Sequence, residues 1–156
     1  MKVTLPHRMA LRHMHAFLRD KIAWIFSKVE YYKKIVSITP PRDHKKIREE
    51  YVGNKEAALK IANERLEHFN RHYGFSYRRV LIKNQKTRWG SCSRLGNLNF
   101  NYKIALIRPE LADYLVVHEL CHLRQMNHSK KFWELVALTI PNYKILRREL
   151  RRGLLN

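Results

Sequence analysis

Apolar positions recur at helical spacing through the first third of the chain, and then the period changes. Ala10, Met14, Phe17, Leu18, Ile22, Ile25, Phe26 and Val29 follow the three- and four-residue rhythm of one helix face, which predicts an amphipathic helix over residues 9–29. The stretch SITPPRDHKKIREE, residues 37–50, pairs two prolines with a charge run and reads as a connection. A second helix is expected from about Asn54 to Tyr73, with Leu59, Ala62, Leu66, Phe69 and Tyr73 on one face and Gly74 as its stop. Beyond it the alternation drops to two. Val80 and Ile82 point one way and Arg79, Leu81 and Lys83 the other, while NLNFNY sets Leu98, Phe100 and Tyr102 against Asn97, Asn99 and Asn101. Two strands joined by the loop KTRWGSCSRLG predict a small antiparallel sheet. Pro109 and Glu110 suit the start of a third helix, Ser129 the cap of a fourth, and Pro141 the opening of a fifth that stops near Gly153. No repeat breaks this order, so the expectation is one α+β domain over residues 1–156.

The third helix contains LADYLVVHELCHL, a run apolar enough to be buried on all sides. Yet it carries His118, Glu119 and His122, and buried imidazoles and carboxylates cost free energy unless something satisfies them. A metal ion satisfies all three. Residues four apart on a helix lie about 40° apart around the axis and about 6 Å along it, so His118 and His122 can converge on one ion. The string HELCH is the HExxH pattern of zinc hydrolases, in which the glutamate is the general base that activates water. Catalytic zinc takes three protein ligands and leaves one position open. His128, six residues after His122, fits the third place, with Glu134 as the alternative. The longer HExxHxxGxxH pattern turns the chain on a glycine, and Gln125 stands there instead, so a different turn is required, through Asn127 for example. One zinc ion per chain is expected. Three imidazoles also accommodate other divalent transition metals.

Charge changes the picture in one respect. The chain has 32 Lys and Arg against 13 Asp and Glu, a formal charge of +19, which attracts polyanions. Lys144, Arg147, Arg148, Arg151 and Arg152 fall at spacings of three and four along the last helix, opposite Tyr143, Leu146, Leu150 and Leu154. Such a stripe can follow a phosphate backbone. The rival to a hydrolase is therefore a nucleic-acid-binding protein with a structural or dispensable metal, and an intermediate reading is a hydrolase of nucleotide-like phosphates. Two cysteines, Cys92 and Cys121, argue against a disulfide framework, and no secretory signal or membrane span is visible. A reducing cytoplasm is expected.

The remaining polar residues carry weaker signals. His68 and His72 read as surface histidines near a helix end, and Cys121 as a small buried residue turned away from His122. Cys92 reads as a structural thiol, and Trp89, Phe132 and Trp133 as core or pocket wall. Arg88, in the loop between the strands, is a candidate for binding an anionic part of a substrate. If strand 97–102 is an edge beside the metal, a peptide could add to it, flanked by Asn97, Asn99 and Asn101.

RWGSC at 88–92, GNLNFN at 96–101 and HELCHLRQMNHSKKFW at 118–133 together resemble the YgjP-like family of metal-dependent hydrolases, relatives of SprT-type and minimal gluzincin-like metallopeptidases. The resemblance runs from about Glu56 to Leu150, with VTLP similar to a strand tail and FLRDKIAWI to its following helix. Compared with that family, the β-rich N-terminal segment is short here. The resemblance implies a zincin-like core with His118, His122 and His128 as metal ligands and Glu119 as general base. The expected activity is zinc-dependent hydrolysis, most simply of a peptide or an anionic small molecule.

Overall fold

Leu98 and Phe100 of NLNFN are fully buried, and the sheet and helices of the C-terminal unit assemble around them. The computed structural model describes residues 11–38 and 43–153, so the strand expected in VTLP lies outside the described residues. The chain divides into two compact units, residues 1–43 and 44–156.

The first unit contributes one helix, α1 (Leu11–Ile38). It continues nine residues beyond the predicted end at residue 29, through the polar and aromatic run EYYKK. The second unit begins with α2 (His44–Tyr73), which also starts earlier than expected. Its first turns, HKKIREEYVG, lack a clean apolar stripe but are rich in Lys, Arg and Glu, which favour a helix without one. Ala58, Ala62, Leu66 and Phe69 bury its inner face. Gly74 ends it in the left-handed region at φ +61, its N–H donating to the Asn70 carbonyl at 2.8 Å.

Three strands follow: β1 (Arg79–Lys83), β2 (Gly90–Cys92) and β3 (Asn97–Asn101). Their order is β1-β3-β2, with β3 parallel to β1 and antiparallel to β2. The sheet is therefore mixed rather than antiparallel throughout. The loop KTRWGSCSRLG hides a third strand, which reverses at Ser93–Gly96 so that β3 slots between the other two. Gly96, at φ +74, closes that turn.

A 3₁₀ segment (Tyr102–Leu106) leads into α3 (Pro109–Cys121). Ala112, Tyr114, Leu115, Val116, Val117, Leu120 and Cys121 are all buried, so α3 is the central helix that its composition predicts. Arg65 on α2 grips Asp113 on α3 with both ends of its guanidinium, one contact at 2.7 Å. The last two helices are α4 (Lys130–Thr139) and α5 (Tyr143–Gly153). Phe132 and Val136 of α4 and Leu146 and Leu150 of α5 complete the core, each apolar side chain contributing about 1.5–3 kcal/mol by leaving water. Ser129 sits at the N-cap of α4 as expected, though its hydroxyl makes no capping bond. Helices around a small sheet give the α+β class. Among the described residues no helix is long and apolar enough to cross a membrane.

Candidate metal centre

The end of α3 and the start of α4 bring three imidazoles together. His118 lies in the last turn of α3, His122 at its C-cap, and His128 in the segment before Ser129. Their ring centroids are 4.8 Å (His118–His122), 5.0 Å (His118–His128) and 4.8 Å (His122–His128) apart. One ligand nitrogen from each lies within 4.8 Å of the others. A tetrahedral zinc with bonds near 2.0–2.1 Å needs about 3.3 Å between ligand nitrogens, so modest side-chain adjustment suffices. Among the described residues no other group of three His, Cys, Asp or Glu side chains is so disposed. Glu134, the alternative third ligand, pairs instead with Lys130 at 3.8 Å and is exposed. His68 and His72 are exposed, 6.5 Å apart, and outside the cluster.

The turn that delivers His128 needs no glycine. After His122 the N–H groups of Leu123, Arg124 and Gln125 bond back to Leu120 and Cys121 at 3.0–3.1 Å. The carbonyl of Gln125 then accepts from His122 Nδ1 at 2.9 Å, which fixes the tautomer and leaves Nε2 as the free lone pair. Among the described residues none other than glycine takes a positive φ, so Asn127 is not used as a left-handed hinge.

Aromatic packing holds the rings. Phe132, fully buried, lies beneath all three histidines at 5.0, 4.5 and 4.9 Å. Trp133 stacks on His128 at 5.5 Å and donates its Nε1–H to the His128 carbonyl at 3.1 Å. His118 Nε2 and His128 Nε2 approach to 3.1 Å. Burial lowers the proton affinity of all three: His118 falls to about 3, with the neighbouring His122, His128 and Arg147 adding to the effect. Neutral imidazoles converging over an apolar floor are the donor set that suits a borderline transition metal such as zinc.

Glu119, next to His118 on α3, is buried, and desolvation pushes its carboxyl up to about 8 against the opposing pull of Arg88. A side chain at Gly90 would put its Cβ 2.6 Å from Glu119 Oε1 and 2.8 Å from its Cγ, so β2 approaches the carboxylate as only a glycine can. Cys92, also on β2, is raised to about 11 by burial and then by the Glu119 charge. A cleft of about 320 Å³ opens here, lined by Arg88, Gly90, Tyr114, Glu119, Arg147 and Arg151 together with His118 and His128.

Two features are placed differently from the sequence reading. Strand 97–101 is central, paired on both sides, and cannot accept a peptide on its edge; among the described residues β2 is an edge strand, and its Gly90 lines the cleft. The three asparagines bind their own sheet. Asn97 accepts from Arg79 and bonds Ser93, Asn99 donates to Ser91, and Asn101 is buried, donating to the carbonyls of Gln85 at 2.7 Å and Arg88 at 3.0 Å. The cationic row on α5 also divides. Arg147 and Arg151 line the metal cleft, whereas Lys144, Arg148 and Arg152 are exposed and do not line it. The helical spacing already grouped Arg147 with Arg151, but which face of α5 meets the histidines depends on docking that no local pattern encodes.

A family model described as YgjP-like, metallopeptidase domain, matches residues 36–153. The chain belongs to the YgjP-like family. The matched segment reaches further toward the N-terminus than the motifs do, although FLRDKIAWI falls outside it. As a YgjP-like protein the chain is a hydrolase of the metallopeptidase class. The YgjP-like fold is similar to the crystal structure of the metallopeptidase zymogen of Pyrococcus abyssi, abylysin, with a TM-score of 0.56 and 24% identity. The likeness covers 61% of this chain and 96% of that one, and is a likeness of fold. No curated protein matches the YgjP-like sequence.

Proposed function

We propose that the protein hydrolyses peptide bonds with a zinc ion held by His118, His122 and His128 and with Glu119 as general base. The observation that carries the proposal is the convergence of three imidazoles within 4.8 Å beside a buried glutamate on the same helix. Zinc bound there would supply a Lewis acid for the carbonyl and would lower the pKa of water toward neutrality. Glu119 takes the proton from the attacking water and returns it to the leaving amine. Gly90, lacking a Cβ, leaves the space that the Glu119 carboxylate occupies. Phe132 excludes bulk water from beneath the rings, and Trp133 holds the backbone at His128. An extended substrate adds along β2, an edge strand among the described residues whose Gly90 lines the cleft. The unpaired thiols Cys92 and Cys121 suit a reducing cytoplasm.

Elemental analysis of untagged protein tests the metal first. About one zinc per chain is expected in wild type and none in His122→Ala. Another transition metal at the same stoichiometry would revise the ion, and no metal in either protein would overturn the site. Glu119→Gln should keep its zinc and lose peptide hydrolysis by a factor of about 10²–10⁴. Unchanged hydrolysis in that variant would remove Glu119 from its role.

A further inference from the structure

The cleft beside the histidines has an unbalanced lining. Arg88 enters from the loop before β2, and Arg147 and Arg151 from successive turns of α5; Glu119 is the single carboxylate. Elsewhere among the described residues three arginines pair with acids, Arg65 with Asp113, Arg71 with Glu67, and Arg108 with Glu110 and Glu149. Among the described residues, Arg147 and Arg151 have no ion pair and no hydrogen-bond acceptor. Arg147 is nevertheless held. Its guanidinium lies 4.5 Å over the ring of Trp133, which in turn stacks on Tyr143 at 5.1 Å and 10°. Stacking uses the face of a guanidinium and leaves the N–H donors in its plane, the arrangement that receives a carboxylate through two parallel bonds.

We infer that Arg147 and Arg151 select substrates that carry a carboxylate within one or two residues of the bond cleaved, either an Asp or Glu side chain or a free chain end. The inference rests on the peptidase reading and names its substrate class. The two arginines are one helical turn apart, about 6 Å, which is close to the span of two residues of extended peptide. A nucleic acid would instead follow the exposed Lys144, Arg148 and Arg152, which do not line the cleft.

The experiment uses internally quenched peptides of one sequence with Glu, Gln or Lys beside the cleavage site, each capped as an amide, and a Gln peptide ending there in a free carboxylate. Zinc-loaded wild type is assayed for kcat/KM, and Glu119→Gln for binding by fluorescence anisotropy. A ten- to hundredfold preference for Glu over Gln is expected in both. The Glu-to-Gln ratio should fall toward one when Arg147→Gln and Arg151→Gln are combined, and partly recover with lysine at both positions. Because Arg147 packs on Trp133, exposed Arg151→Gln alone serves as the variant whose folding is secure, with an intermediate ratio expected. Preference for the free-carboxylate peptide alone would assign the chain end as the ligand; preference for the Glu peptide would assign the side chain. Equal binding of Glu and Gln peptides, or a ratio that survives the double substitution, overturns the inference. So does an oligonucleotide that displaces the Glu peptide through Arg147. Acid-selective binding to Glu119→Gln, with no peptide cleaved by wild type, would keep the carboxylate site and remove the peptidase reading.

Discussion

Gly90 and Glu119 show how much one absent methyl group decides. A Cβ at position 90 would meet three side-chain atoms of the buried Glu119 at 2.6–2.9 Å, so that side chain would have to shift. Gly90→Ala is expected to destabilise the fold by about 1–3 kcal/mol in urea unfolding and to lower kcat about 100-fold through a displaced carboxylate, with zinc content unchanged. Full activity would show that Glu119 does not depend on this approach. Trp133 acts on the other side of the site. Trp133→Phe keeps a ring over His128 but deletes the Nε1–H bond to the His128 carbonyl. Zinc affinity, measured by competition with a chromophoric chelator, should drop about 10-fold, at the lower end of what outer partners of metal ligands contribute. At this scale the sequence was legible where chemistry is local. HELCH names its own geometry because four residues make one helical turn. The clearance at Gly90 was invisible because it depends on a strand 29 positions away from the glutamate it spares.

Among the elements, α3 and β3 could be read from periodicity, whereas β2 and the first turns of α2 could not. A three-residue strand inside a loop offers no alternation to detect, and pairing of β1 with β3 in parallel is a long-range choice that no local pattern records. The early start of α2 was hidden because charge runs form helices by propensity rather than by stripe. Asn101 joins these elements. Its amide bridges the Gln85 and Arg88 carbonyls, and its Oδ1 accepts from the Lys103 N–H at 3.2 Å, so one side chain fixes the loop entering β2 and the 3₁₀ segment leaving β3. Asn101→Ala strands two carbonyls in a buried place and should cost about 2–4 kcal/mol in chemical denaturation. A loss below 0.5 kcal/mol would mean water replaces the amide at no penalty.

For the molecule as a whole, the centre sets the pH dependence of the metal-free protein. His118 falls from the usual 6.5 to about 3 on folding, so between those values the unfolded chain binds a proton that the folded chain refuses, and stability drops as pH falls through that window. Glu119 rises from 4.5 to about 8, so the folded chain keeps a proton that the unfolded chain releases, and stability drops as pH rises through that window. The two effects oppose each other between about pH 4.5 and 6.5. The melting temperature of apoprotein should therefore be flattest there and decline on both sides, a profile that differential scanning calorimetry records directly. Zinc, which needs the imidazoles unprotonated, should extend stability toward alkaline pH. A metal-free protein steadily more stable up to pH 8 would contradict the burial of Glu119.

The stack of His128, Trp133, Tyr143 and Arg147 also gives the protein an optical readout of its own. An indole 5.5 Å from a ligand ring, with its N–H tied to that residue's backbone, changes surroundings whenever the ring reorients. With Trp24 and Trp89 replaced by phenylalanine, Trp133 would be the single emitter. Its emission would then follow occupancy of the centre and arrival of an acidic peptide at Arg147 in real time, without a label.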